Sequence, residues 1–151
     1  MKVIFRMLLT VAVLLPLVPT LAQDKPNVVY ITFEDICPLF GCYGDDYAKT
    51  PNLDKLAAEG IRYDRAYSVA PVCSVSRSSV ITGMYPFSIG AMNHRSNVKI
   101  PEFLKVVPEF FRDAGYYTCN NYKTDYNFRT PAWNDSSKMA HYRNRPNPDQ
   151  P

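Results

Sequence analysis

With 151 residues the chain has room for one domain at most. An apolar fraction of 46% and a formal charge of +3 are ordinary for a globular protein. So small and scattered a basic excess gives no basis for a nucleic-acid partner. The local gathering at Arg143 and Arg145 reads as a solvated face.

Residues 1–22 differ in kind from the rest. Lys2 and Arg6 give a positive start, Met7 to Leu21 is almost wholly apolar, and Thr20-Leu21-Ala22 ends in small residues. This pattern predicts a secretory signal peptide cleaved after Ala22, with a mature chain of residues 23–151 that is secreted or periplasmic. Pro16 and Pro19 and the short apolar run argue against a membrane anchor. Export permits disulfides, and the pairing of Cys37, Cys42, Cys73 and Cys119 stays open.

Asn27 to Phe33 is β-branched and aromatic, and predicts a strand buried on both faces in a parallel sheet. Glu34 and Asp35 follow it directly. Adjacent acids at the carboxyl end of such a strand sit where α/β sheets bind ligands, and they repel unless a cation lies between them. Gly41 to Asp45 reads as a turn-rich loop; Asp45 and Asp46 suit either turn chemistry or extra ligation. Thr50 as cap and Pro51 at the first position predict a helix with Leu53, Leu56 and Ala57 on one face and Gly60 as its stop. Ile61 to Tyr67 alternates, as a short strand or extended segment would.

The stretch Pro71 to Gly83 holds the densest chemistry: one thiol (Cys73), four serines (Ser74, Ser76, Ser78, Ser79), Arg77, and a Thr82-Gly83 end. It predicts a helix that offers its N-terminus to an anion, because the first backbone N–H groups are unpaired and the dipole favours negative charge there. Arg77 adds a permanent charge suited to an oxyanion. Met84 to Asn97 is loop-like. His94 follows the thiol-bearing helix closely, so it is a candidate for touching substrate, against the plainer reading of a surface histidine. Pro108 to Ala114 predicts a helix with apolar surface from Phe110 and Phe111 and its stop at Gly115, and Tyr116 to Tyr122 a strand ending at Lys123. From Thr130 to Pro151 the chain is rich in Pro, Asn and charge, and Arg143-Asn144-Arg145-Pro146 and the last five residues read as a surface loop; Trp133 fits either internal packing or contact with a sugar ring. Strand, acids, helix, extended segment and anion-facing helix is an α/β order.

Taken together, Cys73-x-x-Ser76-Arg77, the short apolar run and Thr82-Gly83 resemble the sulfatase signature. The acidic pair after the first strand and Gly115-Tyr116 leading to Lys123 are similar to that family too. The family carries Pro where Val75 stands, Asp where Glu34 stands, and often His where Asp125 stands. The resemblance implies an alkaline-phosphatase-like α/β sandwich, with a mainly parallel central sheet flanked by helices, present here as its N-terminal part. It implies hydrolysis of sulfate esters, on sulfated glycans or small molecules. Cys73 would be converted to formylglycine by a maturation enzyme, and Ca2+ would be held by Glu34, Asp35 and the modified Cys73. Cys73, Arg77 and Lys123 would be catalytic, with Lys123 and His94 binding substrate. The resemblance covers nearly all of the mature chain but a minority of the family's length, so a fragment of a longer gene product, with little activity alone, is expected. Two other readings stay open: a phosphodiesterase or phosphonate hydrolase of the same superfamily, and an inactive exported binding protein with disulfides.

Overall fold

The computed structural model describes residues 25–151, so the predicted signal segment lies outside the described part. Among the described residues three α-helices are formed: α1 (Pro51–Glu59), α2 (Cys73–Thr82) and α3 (Val107–Asp113). The same residues form two three-residue strands, β1 (Cys119–Asn121) and β2 (Asp135–Ser137), which pair in parallel with Cys119 opposite Asp135. Among the described residues no helix is long and apolar enough to cross a membrane.

The helix boundaries follow local chemistry. Gly83, with φ 66°, ends α2 in the left-handed conformation, and its N–H reaches the Ser79 carbonyl. In α3, Pro108 is buried in the first turn, and the Glu109 carboxylate accepts the Val106 N–H at 2.8 Å, which satisfies one orphan donor. The expected cap of α1 is not made. Thr50 Oγ1 instead accepts the Gly41 N–H at 2.9 Å and lies 3.0 Å from Asp54 Oδ1, which itself accepts the Cys42 N–H at 2.7 Å. Thr50 and Asp54 therefore pin the 3-10 turn Gly41–Tyr43 onto α1. Asp45 is spent on turn chemistry: its Oδ1 accepts the N–H groups of Tyr47 and Ala48 at 3.0 and 2.6 Å.

The core lies between the end of α2, the 3-10 turn Pro86–Ile89 and the start of α3. It is built from Ile81, Ile89, Ala91, Val106, Phe128 and Ala132. Trp133 packs against this cluster, which places it with the internal-packing reading. The second strand, β2, falls in the stretch rich in Pro, Asn and charge, for which the sequence predicts no strand. Asn134 makes the junction, its Oδ1 accepting the Thr118 N–H at 2.9 Å.

The segment Asn27–Phe33 departs from expectation. It forms no strand, and Val29 and Phe33 are 79% and 55% exposed. A strand buried on both faces needs partners on both edges, and the one sheet among the described residues is β1–β2. The apolar pattern is genuine, but apart from Phe40, whose ring centre lies 5.7 Å from that of Phe33, the segment stays largely exposed. Ile61–Tyr67 likewise forms no strand.

Candidate active site

Cys73 is the first residue of α2, with its thiol free and half-buried. The residue before it, Val72, is extended and offers no side-chain cap, so the N–H groups of the first turn have no capping oxygen. The hydroxyls on this helix divide by task. Ser76 pairs with Ser68 at 2.7 Å on the exposed side, and Ser79 donates to the Met84 carbonyl at 2.7 Å, closing the turn after the helix. Ser74 and Ser78 are fully buried and reach other segments.

The turn after β1 carries Lys123 and Asp125. Its backbone is unusual, with Tyr122 at φ 89° and Asp125 at φ 46°, both in the left-handed region. Arg77 holds this turn against α2. Its Nε donates to the Thr124 carbonyl at 2.7 Å, an Nη donates to the Lys123 carbonyl, and the guanidinium carbon lies 5.9 Å from the centre of the Tyr126 ring. Arg77 was expected to face the oxyanion. It spends at least two of its donors on backbone, and so acts in this structure as the tie between helix and turn.

Lys123 Nζ donates to both carboxylate oxygens of Glu34, at 2.5 and 2.6 Å. This hydrogen bonding pushes the Lys123 pKa above its ordinary value, against a smaller opposing effect of burial. Asp125 lies 3.7 Å from Lys123 Nζ through Oδ2 and 3.7 Å from Arg95 Nε through Oδ1. Burial alone would raise its pKa. The Cys73 thiol, Lys123, Arg95 and His94 outweigh that and hold its carboxyl below the usual range. Asp125 is thus ionised at neutral pH.

His94 arrives from the loop after the Pro86–Ile89 turn. Its Nδ1 is 2.9 Å from Ser74 Oγ and 4.0 Å from Cys73 Sγ. Beneath it, the fully buried Asn127 donates through Nδ2 to the carbonyls of Ala91 and Asn93, both at 2.9 Å. Asn127 also gives its own N–H to Ser78 Oγ at 2.8 Å. The loop that carries His94 is therefore fastened to α2 by Ser74 and, through Asn127, by Ser78.

Of the residues expected from sequence, Cys73 and His94 come together, with Asp125 and Lys123 alongside and Glu34 joined through Lys123. Asp35 is exposed, with φ 53°. The expected Ca2+ site is not assembled by these residues. Calcium takes about six to eight oxygens, the Glu34 carboxylate is engaged by Lys123, and no group of three or more His, Cys, Asp or Glu side chains among the described residues is placed to hold a metal. All four cysteines are free, and no cystine supports the disulfide reading. Ser74, Ser78 and Asn127 were not singled out as positioning groups from sequence. The one available signal was the excess of hydroxyls in a helix that has to pack.

The sulfatase family model matches residues 26–149. An ulvan-active sulfatase of Formosa agariphila is 43% identical over 142 residues, which cover 85% of this chain and 24% of that protein. Iduronate 2-sulfatase of Homo sapiens is 32% identical over 96 residues, 63% of this chain and 18% of that protein. The solved structure of BT4656 in complex with its substrate D-glucosamine-2-N,6-O-disulfate is similar with a TM-score of 0.55 and 28% identity, covering 63% of this chain and 19% of that one. The chain spans about a quarter or less of the length of these relatives. Its small parallel sheet with flanking helices is the N-terminal part of their alkaline-phosphatase-like α/β fold. The agreement runs through the thiol-bearing helix and the lysine turn alike, and on it we conclude that the chain belongs to the sulfatase family.

Proposed function

We propose that this chain carries the nucleophile-bearing part of a sulfuric ester hydrolase that acts on sulfated glycans after export. The observation that carries the proposal is the setting of Cys73: first residue of an uncapped helix, free thiol, with His94, Lys123 and Asp125 around it. As formylglycine, made from Cys73 by a maturation enzyme, the hydrated side chain would supply one hydroxyl that attacks sulfur as the S–O ester bond breaks and the alcohol leaves, and a second whose deprotonation re-forms the aldehyde and expels sulfate.

The chain's own residues set the stage for that chemistry. The uncapped N–H groups of the first turn of α2 would favour a sulfate bound at the start of the helix, where the dipole is positive. Lys123, held protonated by Glu34, places a cation beside the nucleophile, where charge develops on the sulfuryl oxygens. Arg77 keeps Lys123 and Asp125 at a fixed distance from Cys73 through backbone carbonyls. Asp125, kept ionised, balances Arg95 and Lys123 and is unsuited to donate a proton to a leaving group. Glycans as substrate class rest on the relatives: one is an ulvan-active sulfatase and another is solved with a sulfated glucosamine. The proposal includes the Ca2+ requirement expected of the family for the assembled enzyme, and little activity from these 151 residues alone.

Mass spectrometry of the tryptic peptide around Cys73, from protein exported by its native host, tests the reading. Conversion to the aldehyde removes sulfur from the peptide, and Cys73→Ser then abolishes turnover of an aryl sulfate. A peptide that retains only thiol or cystine, or a Cys73→Ser enzyme as active as the parent, refutes it. Faster turnover of an aryl phosphodiester than of the aryl sulfate would reassign the reaction within the superfamily.

A further inference from the structure

The hydroxyl of Ser74 is the least accessible polar group in the first turn of α2, with the residue fully buried. Two groups lie within hydrogen-bond distance of Oγ. The Arg95 N–H donates to it at 2.8 Å, and His94 Nδ1 lies at 2.9 Å. A serine hydroxyl has one hydrogen to place, and burial makes an unplaced one costly. With Arg95 N–H already a donor, the acceptor within reach is His94 Nδ1. The hydrogen therefore points at Nδ1, which leaves Nε2 as the ring's N–H.

The backbone supports the same conclusion. Arg95 sits at φ 53°, a conformation few non-glycine residues adopt, and the bond from its N–H to Ser74 holds it there. From beneath, Asn127 ties the carbonyls of Ala91 and Asn93 on the same loop. His94 is thus fixed at both its backbone and its ring. At 4.0 Å, Cys73 Sγ competes poorly with Ser74 Oγ for the same nitrogen.

We infer that Ser74 is a positioning residue: it locks His94 as the Nε2–H tautomer beside Cys73, so that the ring meets ligand as a hydrogen-bond donor, fit for a sulfate oxygen. The placement stands on the geometry alone. Its catalytic consequence rests on the sulfate-ester reading above.

The test follows the ring nitrogens of His94 by 15N NMR of the full chain, at a pH where the imidazole is neutral. The parent is expected to show one dominant tautomer with Nδ1 as acceptor. Ser74→Ala should shift His94 toward a mixture while the amide spectrum away from residues 91–98 is kept, and Ser74→Thr, which keeps the hydroxyl, should restore the parent signature. A parent with Nδ1–H, or a ratio unchanged by Ser74→Ala, overturns the inference, and the first of these holds even if the alanine variant does not fold. In the matured enzyme, Ser74→Ala is expected to lower kcat/KM about tenfold, the scale of one positioned hydrogen bond. It should cost nothing further when added to His94→Ala, and additive losses overturn the catalytic role. Absence of sulfate-ester turnover in the parent would instead sink the activity reading, with the tautomer result still deciding Ser74.

Discussion

Replacing Asn127 tests whether the site depends on a buried polar staple or on apolar packing alone. The side chain is fully buried and donates to the carbonyls of Ala91 and Asn93 at 2.9 Å each, while its Oδ1 has no partner. Two carbonyls facing one end of the amide require that end to be the nitrogen, so its orientation is set by its neighbours. In Asn127→Ala the Ala91 carbonyl is left buried and unpaired, at a cost of about 1–3 kcal/mol; the Asn93 bond, on a more exposed residue, adds about 0.5–1.5 kcal/mol. Removing the unpaired Oδ1 offsets part of this, giving a net loss of about 2 kcal/mol. Asn127→Asp is nearly isosteric, yet it turns an acceptor toward two acceptors, so it should be worse than alanine despite its better shape. Urea unfolding reads both, as a fall in midpoint at constant m. An aspartate variant as stable as the parent, or an alanine variant within about 0.5 kcal/mol of it, the range of an uninvolved surface change, would refute the staple.

Four further outcomes are expected. Calorimetric titration of the chain with Ca2+ should show no stoichiometric binding, since Glu34 is held by Lys123 and no three ligating side chains are placed together among the described residues; uptake of one ion per chain would show that Glu34 leaves Lys123 readily. Glu34→Gln should bring the Lys123 pKa down toward its ordinary value of 10.5, read from the side-chain 13C shift against pH; a Lys123 titration that does not move would separate the two groups in solution. Asp125 has its pKa depressed in the folded state, so the stability it contributes is present above the ordinary value of 3.8 and is lost as pH falls through the folded value. The parent should therefore exceed Asp125→Asn at neutral pH by a margin that closes in acid, and a margin that widens in acid has the wrong sign. Gly83→Ala places a Cβ in open space but at φ 66°, so it should cost about 1 kcal/mol by backbone strain alone, measured by thermal melting.

The legible parts of the chain are those whose chemistry is local. Gly83 and Gly115 mark helix ends because a positive φ suits glycine, and both are found there. The thiol-bearing helix announces itself by polar residues where a core helix would carry apolar ones. His94 could be suspected from its closeness in sequence to that helix, but only the fold brings Nδ1 to Ser74. The strand β2 was hidden because Asp135-Ser136-Ser137 has no strand character of its own; its pairing with Cys119–Asn121 is fixed by neighbours such as Asn134. Asn27–Phe33 shows the reverse, a strong strand pattern with no described partner. Propensity states what a segment can bury, and pairing depends on what else is present to bury it.

Arg77 marks the limit of reading roles from residue type. A guanidinium near an anion site suggests direct contact, and chemistry alone gives no reason to doubt it. Yet its Nε and one Nη are committed to the carbonyls of Thr124 and Lys123, respectively, so removing it would first release the turn that carries Lys123 and Asp125. A lysine in its place keeps the charge but loses the planar pair of donors that meets two successive carbonyls. If Arg77 acts as this tie, Arg77→Lys should loosen the turn nearly as much as Arg77→Ala, visible as faster amide exchange across residues 122–126. If it acts chiefly as a charge, Arg77→Lys should keep both exchange and affinity for sulfate close to the parent. The two roles thus predict opposite rankings for one conservative change, and the donor geometry favours the tie.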